Sequence, residues 1–205
     1  MRFPRFNEAS YAHFVTTKTF ENRPIFKDDQ CCEVLLYYID YYRNKLKFKL
    51  IGYCIMLDHL HLIVWWDTDK QKDLTISTVM HRIKGRSAKR LSDYLILGRQ
   101  GLNALPDSRG IQASTTHLGG KDLTGRDIQA HPTHLRISTR DTIKIWQPSF
   151  YDFNIYSEEK LREKLNYIHW NPVRAGLCAK PEDWPWSSYS FYKTGKQGRI
   201  IIQTF

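Results

Sequence analysis

The chain has 205 residues, which fits one domain or one domain with appendages, and 41% of them are hydrophobic, enough to bury an ordinary core. Lysine and arginine number 31 against 21 aspartates and glutamates, a formal charge of +10 that attracts polyanions, nucleic acid first among them. No apolar run approaches the ~18 residues of a membrane span. The longest, Leu60 to Trp66, is broken by His61, and no apolar stretch follows Met1-Arg2-Phe3-Pro4-Arg5 to make it a secretory signal, so no membrane partner and a cytoplasmic location are expected. Cys31, Cys32, Cys54 and Cys178 have neither disulfide nor metal-ligand spacing and read as small hydrophobes in a reducing compartment.

Residues 11–20, rich in β-branched and aromatic types, predict a first strand. From Gln30 to Leu46, Cys31, Leu35, Tyr38, Ile39, Tyr42 and Leu46 recur at spacings of three and four, one apolar helix face. Two β-rich runs, 47–56 and 59–66, are separated by Leu57-Asp58 as in a tight hairpin. A second helix is expected from about Leu74 to Tyr94, with Ile76, Val79, Met80, Ile83, Ser87, Leu91 and Tyr94 inward. Arg82, Arg86, Lys89 and Arg90 lie on another face, with Lys84 beside them.

The segment 98–142 holds six of the eleven glycines amid Ser, Thr and Asp, and no period survives; it reads as a long, flexible insertion with no core of its own. Ile143 to Ile155 is strand-like. A helix then starts at Glu158, with Ser157 as N-cap, Glu158 and Glu159 in its first turn and Pro172 limiting its far end. Residues 173–205 form a C-terminal extension. The order predicts a single α+β domain, a ferredoxin-like four-stranded, mostly antiparallel sheet with helices on one face.

Within Asp58-His59-Leu60-His61-Leu62, residues two apart on a strand share a face, so His59 and His61 project together while Leu60 and Leu62 enter the opposite layer. Two imidazoles from one strand are half of a divalent-metal site, although most such pairs hold no metal. On the helix from Glu158, Leu161, Leu165 and Ile168 form the buried stripe, and Lys160, Lys164, Tyr167 and Asn171 form the one beside it. The same spacing also fits a tyrosine at the core margin and an asparagine capping the helix end.

Asp58-His59-Leu60-His61-Leu62 resembles the HUH motif (His, hydrophobic, His) of nucleases and transposases that form phosphotyrosine links, and Lys84-Gly85-Arg86 resembles a basic segment that follows it. Three further stretches look like successive signatures of the REP-associated tyrosine transposase family. They are Trp146-Gln147-Pro148-Ser149-Phe150-Tyr151-Asp152, Tyr167-Ile168-His169-Trp170-Asn171-Pro172-Val173-Arg174-Ala175-Gly176 and Trp184-Pro185-Trp186-Ser187-Ser188-Tyr189. The resemblance covers about residues 10–96 and 143–192 in the right order; 98–142 departs from it.

The resemblance implies a ferredoxin-like fold, a Mg²⁺ or Mn²⁺ ion held by His59, His61 and Asn171, and Tyr167 as nucleophile. It implies action on single-stranded DNA beside hairpins of repeated extragenic palindromes, through a 5′-phosphotyrosine, with a monomer favoured and a dimer possible. Tyr151 is the competing tyrosine, but it lies in a strand with no ligand-type residue one turn away. Arg82, Lys84, Arg86, Lys89 and Arg90 are candidates for a phosphate track, Lys164 for a charge near the phosphate, and Trp184 and Trp186 for base stacking, although Trp beside Pro is also a packing clamp. His131 and His134 have ligand-like spacing, but Pro132 between them and the lack of nearby cysteines argue against zinc. Two rivals are a catalytically inactive DNA-hairpin binder and a His-x-His-x-His nucleotide hydrolase; Ile63 stands where the latter needs its third histidine.

Overall fold

Among the described residues four strands, β1 (Ala12–Lys18), β2 (Lys49–Ile55), β3 (His59–Trp65) and β4 (Tyr151–Ile155), form one antiparallel sheet in the order β2-β3-β1-β4. The computed structural model describes residues 11–98 and 142–204. The expected insertion, with His131 and His134, falls outside them except for Gly98 and Thr142.

The helices are α1 (Asp29–Leu46), α2 (Ile76–Leu97), α3 (Glu158–Arg174) and the short α4 (Tyr189–Thr194). Each of the long three begins at a side chain that satisfies a free backbone N–H: Asp28 accepts from Gln30, Thr75 from Thr78 and Ser157 from Lys160. The strand order and the α1 crossover from β1 to β2 are those of a ferredoxin-like sheet.

The pleat separates two cores. Val15, Leu50, Tyr53, Ile55, Leu60, Leu62 and Val64 face α1 and α2 and pack with Leu35, Ile39, Val79, Met80, Ile83 and Leu91. Ala12, Phe14, Cys54, Ile63 and Ile155 face the other way, against Leu161, Leu165 and Ile168 of α3. Helices therefore cover both faces of the sheet, not one as the sequence suggested. The reason is that β3 alternates apolar residues on both sides, and α1 with α2 can cover only one.

Two boundaries also differ from expectation. Of 143–155, only Tyr151–Ile155 is a strand; Trp146 makes a single bridge to Thr19, and Pro148 has no N–H with which to extend the ladder. Pro172 does not end α3, which runs on to Arg174, because a proline in the last turn forfeits one bond while Ala175 and Leu177 still donate to the carbonyls of Asn171 and Pro172.

The C-terminal residues are part of the core. Trp186, Ile200 and Ile202 pack on the α1/α2 side. Backbone bonds from Ile55 to Trp186, Ser188 to Tyr53 and Gln203 to Leu50 cover the outer edge of β2. The four cysteines are unpaired, and three are buried. No described helix is long and apolar enough to cross a membrane.

Candidate active site

His59 and His61 leave β3 on the face that α3 covers, their rings 4.8 Å apart at 82°. Each ring is fixed through Nδ1. His59 Nδ1 lies 2.6 Å from Asp58 Oδ1, and His61 Nδ1 lies 2.7 Å from Thr16 Oγ1, on the residue directly opposite in β1. A carboxylate only accepts, so His59 Nδ1 carries the proton of that bond and Nε2 is the ring nitrogen Asp58 does not engage; carboxylates behind metal-binding histidines orient the ring in this way. His61 is 2% exposed. Burial, helped by neighbouring His59, lowers its pKa from near 6.5 to about 3, so its imidazole is neutral at physiological pH and free to donate electrons.

α3 supplies the remaining groups. Asn171 Nδ2 lies 3.1 Å from His61 Nε2. One turn earlier, the Tyr167 ring lies 5.4 Å from the His61 ring and 5.9 Å from that of Phe14, yet remains 42% exposed. Among the described residues no three His, Cys, Asp or Glu side chains converge. The donor set is therefore two imidazole nitrogens and the Asn171 carboxamide, whose oxygen replaces its nitrogen toward His61 on a half-turn of the amide. That set fits a divalent cation, and its imidazoles suit Mn²⁺ better than Mg²⁺, which prefers oxygen.

Two features that sequence reasoning missed set the position of α3. Gly52 lies at a register shift in β2, where a Cβ would stand 2.8 Å from Leu165 Cδ2 and 3.3 Å from Ile168 Cδ1, so glycine lets the helix lie close. His169, buried, places Nε2 2.8 Å from Ser188 Oγ, which accepts the Tyr53 N–H at 3.0 Å. A glycine inside an apolar strand was the available signal for the first. For the second, the only hint was a histidine on the buried side of the helix.

Known proteins agree with this architecture. The family model described as "Transposase IS200 like" matches residues 7–100. Residues 7–100 are thus similar to the IS200-like transposases. The chain is 38% identical over 45 residues to the REP-associated tyrosine transposase of Escherichia coli (strain K12), and 40% over 45 residues to a Haemophilus influenzae protein that provisionally carries the same name. Each match spans 22% of this chain and only about a quarter of the relative (27% and 26%). Across 99% of this chain and 94% of the other, the fold matches a solved REP-associated tyrosine transposase, described as bound to a REP hairpin, with a TM-score of 0.58 at 17% identity.

Set in this fold, the outlying candidates divide. Lys164 stays beside the site, its Nζ 5.4 Å from the Phe14 ring and 4.8 Å from that of Phe153. Arg82, Arg86 and Lys89 are exposed on α2, on the opposite side of the sheet from His59 and His61. Arg82, Lys89 and Lys144 border a groove of about 940 Å³ between α2 and residues 142–150. Lys84 does not join an open phosphate track: its half-buried ammonium donates to the carbonyls of Gln147, Pro148 and Ser149 at 2.7–3.2 Å, and burial lowers its pKa. Arg90 is half-buried, with its Nε out of solvent.

The two tryptophans are clamps rather than open stacking surfaces. Trp184 Nε1 donates to Ile55 O. Trp186 is buried, donates to Asp29 Oδ1 and lies under the Arg199 guanidinium at 4.3 Å. Tyr151, exposed on β4 opposite Thr16, shares the His61 face of the sheet.

Proposed function

We propose that the chain is a metal-dependent endonuclease and strand transferase for single-stranded DNA, acting beside hairpins of repeated palindromic elements through a 5′-phosphotyrosine. The observation that carries this reading is the exposed Tyr167 phenol beside neutral His61, with Asn171 one helical turn on. The +10 charge supports a polyanionic partner, and the similar solved transposase is described as holding a REP hairpin.

In this reading Tyr167 Oη attacks the scissile phosphorus. The P–Oη bond forms, the P–O3′ bond breaks, the phenolic proton leaves, and a strand with a free 3′-hydroxyl is released. The Arg174 guanidinium, 5.9 Å from the centre of the Tyr167 ring, puts positive charge where the phenol becomes anionic. His59, His61 and Asn171 would hold Mn²⁺ or Mg²⁺, whose charge stabilises the non-bridging oxygens and orients the phosphate. Thr16 and Asp58 keep the two rings turned toward it. A second 3′-hydroxyl reverses the exchange on the phosphotyrosine and rejoins DNA without another energy source.

The test is to incubate the protein with single-stranded DNA bearing a hairpin, plus Mn²⁺ or Mg²⁺, and to run a denaturing gel. The wild type should give a covalent protein–DNA adduct, and Tyr167→Phe should give none while still binding the DNA. An adduct peptide that contains Tyr151 overturns the choice of nucleophile. Binding with no adduct from any tyrosine supports the inactive hairpin binder.

A further inference from the structure

The proposed chemistry uses one tyrosine, yet a second stands at the same place. β4 pairs Tyr151 with Thr16, and Thr16 pairs with His61 on its other side, so all three side chains leave the sheet on one face. Tyr151 is 55% exposed, more than any other large hydrophobic side chain among the described residues. Its ring meets Phe14 edge-on, with centroids 6.2 Å apart at 69°, and the Tyr167 ring meets the same Phe14 at 5.9 Å and 87°. Phe14 in turn stacks on His61 at 5.7 Å and 20°. Two open phenols thus flank one buried ring that adjoins the candidate metal ligand, and the Lys164 ammonium lies 5.4 Å from that ring.

An isolated exposed aromatic says little. Here the position is specific. A single strand whose phosphate sits at Tyr167 and His61 must place its neighbouring unpaired bases somewhere, and an unstacked base exposes apolar faces to water. Aromatic side chains accept such bases with little sequence preference. Tyr151 presents mostly open ring surface one Phe14 away from the nucleophile, and its edge contact with Phe14 fixes its tilt. Lys164 adds a cation for the adjoining phosphate.

We propose that Tyr151 is a nucleobase platform: it stacks on the unpaired base next to the scissile phosphate and holds the strand in register for Tyr167. This rests on the single-stranded DNA reading above. The role needs a ring and not a hydroxyl, so it separates Tyr151 from a nucleophile by chemistry.

The experiment uses the full chain, a fluorescent DNA hairpin with single-stranded flanks, and versions of it with 2-aminopurine at successive flank positions. Tyr151→Ala should bind the DNA roughly five- to hundredfold more weakly. It should also lose the 2-aminopurine quenching at one position beside the cleavage point. Tyr151→Phe and Tyr151→Trp should keep both affinity and quenching, and Tyr151→Phe should still form the Tyr167 adduct. An abasic site at that position should weaken wild type to the level of Tyr151→Ala and leave Tyr151→Ala unchanged. A wild type that forms the adduct while Tyr151→Ala matches it in affinity and quenching overturns the platform alone. A wild type that binds no single-stranded DNA overturns the platform together with the reading beneath it.

Discussion

Asn171 on α3 and His61 on β3 hold their side-chain nitrogens 3.1 Å apart, which sets the Asn171 carboxamide beside the His59/His61 pair as the proposed third ligand of a metal there. Asn171→Ala removes that proposed ligand and leaves both imidazoles. Its affinity for Mn²⁺, by calorimetry, should fall at least tenfold, roughly the range known for losing even an indirect support of a ligand. Excess metal should partly restore cleavage. Chelation, His59→Ala and His61→Ala should each stop cleavage while leaving most DNA binding. Unchanged Mn²⁺ affinity in Asn171→Ala would show that the third ligand lies elsewhere.

Lys84 and Arg86 sit two residues apart on α2 but have different surroundings, and salt titration should separate them. Arg86 is exposed, as are Arg82 and Lys89. If they contact phosphates, replacing one with alanine should reduce the slope of log affinity against log salt by about 0.7 for single strands. Lys84→Met should leave the slope alone. It strips a charged donor from three carbonyls and should lower stability by about 1.5–3 kcal/mol per charged hydrogen bond that is not replaced by water. A reduced slope in Lys84→Met, with stability intact, would restore it to the phosphate track.

Much of the site was legible because its signals are local. The two-residue pleat alone puts His59 and His61 on one face, and helical spacing alone puts Tyr167 and Asn171 on one stripe. What sequence could not give depends on partners far along the chain. The apolar stripe of α3 says that it buries a face but not which side of the sheet receives it. The charge of Lys84 matches its neighbours on α2, and only the fold shows that it turns to the carbonyls at 147–149. Trp184 and Trp186 look like stacking residues until Ile55 and Asp29 are seen to take their N–H groups. Gly52 was visible as an oddity in a strand, but its cause, Leu165, is a residue of another element.

Two buried histidines make the fold sensitive to mild acid. Burial lowers His61 to about 3 and His169 to about 4, against an ordinary value near 6.5. The unfolded chain protonates both rings as pH falls below about 6.5, while the folded chain does not. Stability that is fully present above that pH is therefore lost as pH falls toward the two folded values. The loss approaches about 1.4 kcal/mol per pH unit per ring. Urea midpoints taken with a chelator should be flat from pH 8 to 7 and decline between 6.5 and 5, before most carboxylates titrate. His169→Gln should remove part of that decline, and a midpoint constant from pH 7 to 5 would contradict the burial of these rings.

Gly52 should be the position where one methyl group costs both stability and the site. A Cβ there meets Leu165 Cδ2 at 2.8 Å and Ile168 Cδ1 at 3.3 Å, and both side chains are buried between α3 and the sheet. They cannot swing clear without leaving other contacts, so Gly52→Ala should destabilise by about 1–3 kcal/mol, the usual cost of overpacking. Gly85 is the control. It lies inside α2 with nothing within 4 Å of its added Cβ, so Gly85→Ala should stabilise by about 0.5–1 kcal/mol through helix propensity. The stronger test concerns geometry. Tyr167 and Asn171 are carried by the helix that Gly52 lets approach, so Gly52→Ala should weaken Mn²⁺ binding and slow adduct formation at temperatures where it is fully folded. Adding Leu165→Val makes room for the new methyl and should recover part of both. A Gly52→Ala chain that loses stability but keeps wild-type metal affinity and adduct rate would show that the closeness of α3 serves the core and not the site.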